Sequence, residues 1–145
     1  MKKKNIPFII IITLLLLING YYYILPKFKN SDKNLEKFNS ELAINSSELI
    51  VNFINNEEKA NNLYAGKIIE VTGTVKEVTF LNNRNTVILY GKNKTSGIIC
   101  DVHPNQKEKI KKLKANQKIR VKGICKGFLK DVILLNCYID TKPNE

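Results

Sequence analysis

Alternation at a spacing of two is the feature that most constrains this chain. Ile69, Val71, Gly73 and Val75 alternate with Glu70, Thr72, Thr74 and Lys76, as in a strand with one face buried and the other wet. Ile119, Val121, Gly123 and Cys125 alternate in the same way with Lys118, Arg120 and Lys122, the pattern of a half-buried antiparallel strand. Apolar runs at 86–90 (TVILY), 97–102 (GIICDV) and 131–139 (DVILLNCYI) supply three more strands.

Two helices are expected around these strands. Asn45 with Glu48 three residues later has the spacing of a reciprocal N-cap, and Leu49, Phe53, Ala60 and Tyr64 recur on one face, which predicts a helix over 46–62. Between the third and fourth strands, QKEKIKKLKANQ at 106–117 carries Ile110 and Leu113 among lysines and reads as a short helix packing by a narrow stripe. Three strands, a helix and two strands is the order of the OB-fold, a five-stranded, partly open Greek-key barrel. The expected class is therefore mainly β. Gly73 in mid-strand fits a sharp bend or a close backbone approach. A barrel of about 80 residues buries a modest core, so the preceding helix should pack on it and help to close it.

Ahead of this domain, residues 6–25 carry no charge, with Thr13, Asn19 and Gly20 as the soft interruptions, directly behind Lys2, Lys3 and Lys4. That length suits a transmembrane helix. A cleaved secretory signal would show the same charged and apolar regions, but the small-x-small cleavage triplet is missing, and the apolar run continues through Tyr21, Tyr22 and Tyr23 to Pro26. Three tyrosines suit a headgroup belt. No cysteine lies near enough for an N-terminal lipid anchor. Lysines on the short side keep that end in the cytoplasm, although Lys27 and Lys29 weaken the asymmetry. The expected organisation is an anchor at 1–26, a polar linker at 27–45, a barrel domain with its helix at 46–140 and a tail at 141–145. The domain would stand outside the cytoplasmic membrane, periplasmic or at the cell surface, and the bias toward Lys, Asn and Ile suits an AT-rich bacterial genome. Within the linker, Phe28, Leu35, Phe38 and Leu42 have spacings open to a short amphipathic helix at the membrane surface.

The pattern Tyr64-x-Gly66-Lys67 leading into Val71-x-Gly73-x-Val75, and Val121-x-Gly123-x-Cys125-x-Gly127 followed by Asp131-Val132 and Cys137, resembles the tRNA-anti-like family of bacterial OB-fold proteins over residues 46–140. The resemblance implies the barrel and brings no catalytic motif. The family's name marks kinship with anticodon-binding domains, and fold kinship alone is a weak functional argument.

Past the anchor, residues 27–145 hold 21 Lys and Arg against 13 Asp and Glu, and 107–130 alone hold 10 against 1. Clustered basic charge is the footprint of a surface for anions; the same lysines also serve as a solvated helix face and the outward side of one strand. Single-strand binding by OB-folds adds aromatic platforms for bases, and the second and third strands offer Tyr90, with Phe80, Arg84, Lys92 and Lys94 near and Asp101 opposed. Tyr64 and Tyr138 fit the core equally well. The candidate ligand-binding residues are Tyr90, Arg84, Lys92, Lys94, Lys111, Lys112, Lys118, Arg120 and Lys122. A basic domain tethered beside a bilayer can rest on anionic lipid, an anionic polymer or an envelope protein, each nearby Lys or Arg contributing about 1 kcal/mol on anionic lipid.

Catalysis is not expected. His103, the single histidine, is followed by Pro104, and with Asp101 it is too little for a hydrolytic triad or a closed metal site. No Gly-rich phosphate loop, HExxH or CxxC occurs, so no cofactor or metal is expected. Cys100, Cys125 and Cys137 fall on three strands. In an oxidising compartment Cys100 and Cys137 are the preferred disulfide pair, because the third and fifth strands adjoin in this barrel; three small buried thiols is the equal alternative. The reading is a membrane-anchored, extracytoplasmic, non-catalytic binding module, with a single-stranded nucleic-acid-binding domain as the alternative.

Overall fold

The computed structural model describes residues 12–16, 18, 19, 35, 39–91 and 95–141. The chain forms two compact units, Met1–Lys33 and Asn34–Glu145. In the first, residues 12–16, 18 and 19 are helical and exposed, and Asn19 Nδ2 donates to the Leu15 carbonyl at 3.2 Å. Among the described residues no helix is long and apolar enough to cross a membrane; most of the apolar run 6–25, and residues 27–34 and 36–38 of the linker, lie outside them.

The second unit is mainly β. Its strands are β1 (Leu42–Asn45), β2 (Ile68–Leu81), β3 (Arg84–Tyr90), β4 (Gly97–Val102), β5 (Lys118–Phe128) and β6 (Val132–Asp140). Five close a barrel in the cyclic order β2-β3-β4-β6-β5, with β5 returning to β2. β2 closes it by serving two neighbours: Ile68–Thr74 pairs antiparallel with β5, and Val75–Leu81 with β3. The change of partner coincides with a register shift between Val75 and Glu77, the kind of bulge that lets one strand bend through two walls. β4 and β6 run parallel, and every other barrel pairing is antiparallel. This is the arrangement of the OB-fold.

All five expected strands are present, and the first runs five residues beyond its expected end. Its extension turns back through Asn82 and Asn83, whose φ values are 51° and 59°. Leu81 pairs with Arg84 across them, a two-residue hairpin of the type that needs positive φ at both centres. Asparagine tolerates that region better than most residues.

The end of the segment read as polar linker is part of the sheet. Leu42–Asn45 forms β1, parallel to β2 with Leu42 opposite Ile69 and Asn45 opposite Thr72. Its mixed composition hid it, because an edge strand with exposed side chains shows no alternation. The expected helix over 46–62 is two helices, α1 (Ser46–Asn55) and α2 (Glu57–Tyr64). Asn56 divides them with an extended backbone, and its side chain accepts from the Lys59 backbone N–H at 2.9 Å, capping α2. Asn45 makes no such side-chain cap.

α1 packs on the barrel as expected. Leu49, Ile50 and Phe53 join Val71, Val75, Leu89 and Ile98 in one core, and the Phe53 ring stacks on Phe128 with centroids 5.8 Å apart. Gly73 marks the close approach: a Cβ there would lie 2.9 Å from Ser46 Cβ and 3.0 Å from Leu89 Cδ1. The expected helix over 106–117 is a 3-10 turn, Pro104–Gln106, and one α turn, α3 (Lys107–Ile110). Ile110 is buried and Leu113 packs on the core. The helix stops because the chain beyond it is tied to β2: Asn116 N–H donates to the Val75 carbonyl at 2.8 Å, and Val75 N–H to the Gln117 carbonyl at 2.9 Å.

Candidate binding surface

The expected ligand-binding residues separate into three places. Tyr90 ends β3 and Lys118 begins β5, and both line a groove of about 730 Å³ with Ser46, Thr72, Thr74 and Asn116. Ser46 Oγ donates to the Tyr90 carbonyl at 3.0 Å, so the start of α1 fixes the backbone that presents the ring. Among the described residues this is the one place where an aromatic and a cation from the expected set meet.

Arg120 and Lys122 line a second cavity of about 310 Å³ on the outer wall of β2, β5 and β6, with Glu70, Gln106, Lys109, Tyr138 and Asp140. Arg120 Nη1 sits 3.3 Å from Glu70 Oε1. Cross-strand register explains the meeting: Glu70 opposes Lys122 and Thr72 opposes Arg120, which puts the outward carboxylate of β2 among the outward cations of β5. Pairing the two alternating strands antiparallel would have found Glu70 in the sequence. Gln106 and Asp140 carried no comparable signal.

The others stand apart. Arg84 is exposed at the hairpin tip, at the opposite end of β3 from Tyr90, about 20 Å away at strand rise. Lys111 and Lys112 are exposed after α3, with Lys111 Nζ 2.7 Å from Glu108 Oε1. That ammonium, by its hydrogen bond and then its charge, holds the Glu108 carboxyl below its ordinary value. Lys92 and Lys94 lie outside the described residues.

The outer face of β3, β4 and β6 is aliphatic. Ile88 pairs with Ile99, and Ile99 with Ile133, forming a half-buried row across three strands. Thr86 and Asp101 oppose each other beside it. Of the other described aromatics, Tyr64, Phe128 and Tyr138 are engaged elsewhere. Tyr64 is buried and its hydroxyl accepts from Asn52 Nδ2 at 2.9 Å. Phe128 stacks on Phe53. Tyr138 is buried and stacks on His103, centroids 5.1 Å apart. Phe80 is exposed next to the hairpin tip. His103 is half-buried between β4 and the 3-10 turn, which it caps, its Nδ1 accepting from Asn105 N–H at 3.4 Å.

The three cysteines are buried, free thiols in this structure. Cys100 and Cys137 lie on the adjoining strands β4 and β6. Burial first, then the Cys100 thiol and the Asp101 charge, push the Cys137 thiol well above its ordinary value; burial pushes Cys125 up as well.

Known proteins match this barrel more clearly than any ligand. No curated protein matches the chain. Among solved structures, a Klebsiella pneumoniae subsp. pneumoniae protein named "putative nucleic acid-binding lipoprotein" superposes with a TM-score of 0.56 at 17% identity, covering 67% of this chain and 90% of that one. A "putative aspartyl-tRNA synthetase" from Leishmania major Friedlin gives 0.47 at 12% identity, over 87% of this chain and 27% of that one. At such identities the first likeness speaks for the fold alone. The family model tRNA_anti-like matches residues 1–139, and with the closed five-stranded barrel and its interposed helix in place, the chain belongs to the tRNA_anti-like family.

Proposed function

We propose that this protein is a non-catalytic OB-fold binding module, held on the outer side of the cytoplasmic membrane by its N-terminal apolar segment, that works by contact with envelope partners. The observation that carries the binding half is the Ile88–Ile99–Ile133 row. It occupies the face built on the barrel's second and third strands, where OB-folds commonly take up ligands. Branched aliphatic side chains there suit apolar contact with a protein. They give bases nothing to stack on, and each aromatic–base stack is worth about 1–3 kcal/mol. The basic wall of Lys118, Arg120 and Lys122 lies apart from that row and suits an anionic lipid or polymer surface.

The length and flanks of residues 6–25 support the membrane half of the reading.

Single-stranded nucleic acid is the second reading, favoured by the groove in which Tyr90 and Lys118 meet. One titration separates the two: the full chain in detergent micelles against single-stranded oligonucleotides, heparin and anionic vesicles across salt. The proposal expects weak binding to all three that fades at physiological salt and is indifferent to Tyr90→Ala. Tight oligonucleotide binding that falls about tenfold or more in Tyr90→Ala would establish the second reading instead.

A further inference from the structure

Two of the three thiols are placed to react with each other. Cys100 lies on β4 and Cys137 on β6, the parallel neighbours of the barrel, and both are 0% exposed. The ladder between these strands runs Ile98 to Val132, Ile99 to Ile133 and Cys100 to Leu134, then slips by one residue and resumes with Val102 opposite Cys137. Without the slip, alternation from inward Leu134 would point Asn136 into the core and Cys137 to solvent. Asn136 instead takes a φ of 52°, and the extra residue turns Cys137 inward beside Cys100. Space is kept for its sulfur by Gly123 on β5, where a Cβ would come 2.7 Å from Cys137 Sγ. The Cys100 thiol is near enough to push the Cys137 thiol further above its ordinary value.

We propose that Cys100 and Cys137 close into a disulfide as the barrel folds, stapling the β4–β6 seam where its ladder is interrupted and leaving Cys125 as the single reduced thiol. The oxidant is a disulfide, either a small one of the glutathione type or that of an oxidoreductase. The thiolate of one cysteine attacks a sulfur of the oxidant and forms a mixed disulfide, releasing a thiolate. The second cysteine's thiolate then displaces the remaining oxidant sulfur. One S–S bond forms in the protein, two protons leave it, and the oxidant carries away two electrons as two thiols. Burial of both sulfurs makes the closed barrel a poor substrate, so the exchange belongs to folding, before the core is sealed. In the cell the supply of oxidant rests on the extracytoplasmic reading above.

The test has two arms on the full chain. In the first, reduced and denatured protein is refolded into detergent micelles with a glutathione redox buffer, then denatured, alkylated and mapped by mass spectrometry. In the second, cells are acid-quenched and the membrane fraction is alkylated the same way. The expected result in both arms is a Cys100–Cys137 cross-linked peptide with Cys125 alone alkylated, unchanged in Cys125→Ala. The staple should raise the melting temperature by about 10 °C or more over the reduced form. A bridge formed on refolding with free thiols in cells supports the pairing and contradicts the extracytoplasmic location. Three alkylated thiols in protein that has refolded to its β-rich circular dichroism, or a bridge that includes Cys125, overturns the proposal.

Discussion

At Gly73 a missing side chain sets how closely α1 lies on β2, since a Cβ would sit 2.9 Å from Ser46. Gly73→Val should therefore lower stability by about 1–3 kcal/mol through overpacking, read as a reduced midpoint in urea unfolding. Asn82 acts through its backbone: at φ 51° a β-branched residue is strained, and Asn82→Val should cost about 1–2 kcal/mol in the same assay. The buried thiols make the reduced protein sensitive to alkali. Cys125 and Cys137 are both raised above the ordinary thiol value of 9.0. Below that pH folded and unfolded chains hold the same protons. Above it the unfolded chain loses protons that the folded chain keeps, so stability falls as pH rises, by up to about 1.4 kcal/mol per pH unit for each thiol. Unfolding of reduced wild type between pH 7 and 10 should show a steeper fall than Cys125→Ala/Cys137→Ala. Residue types pointed to Tyr90 and Lys118 in the sequence, and the structure brings them into one groove. They could not point to Gln106, whose place in a cavity depends on where a short turn docks.

Among the elements, α1 contributes a large share of the core for its length. Phe53 is 1% exposed and touches both Tyr64 and Phe128. Phe53→Ala should cost about 3–5 kcal/mol, a large part of the usual margin of about 5–15 kcal/mol, read as a melting temperature lowered by more than about 10 °C. Two of the five barrel strands were legible because burying one face writes a period of two into the chain, and the other three because they are short apolar runs. The break at Asn56 was hidden because its neighbours on both sides keep a helical spacing. β1 was hidden because it lies at an edge with most of its side chains exposed, and α3 ends early for the sake of hydrogen bonds to β2 that no local pattern announces. The ion pair of Arg120 with Glu70 was equally non-local. With both side chains partly exposed, 24% and 22%, Glu70→Gln should change stability by no more than about 1 kcal/mol, while making the β5 wall more cationic and strengthening its salt-sensitive attraction to anionic vesicles.

For the whole molecule, the closed barrel and the family follow from sequence pattern and structure together, whereas the work it performs follows from where the barrel stands. Net charge and apolar runs are long-range features that a sequence shows plainly. A ligand is specified by a few side chains whose neighbours come from distant strands, and that is the part the sequence concealed. If the apolar segment spans the membrane with Lys2 to Lys4 inside, the aliphatic row and the basic wall both face the envelope, and cytoplasmic nucleic acid is out of reach. Fusing the chain after Asp140 to a phosphatase active only outside the cytoplasm, and separately to a fluorescent protein that matures only inside, tests this directly. A membrane-bound fusion with phosphatase activity and no fluorescence is expected. Fluorescence without phosphatase activity would contradict it.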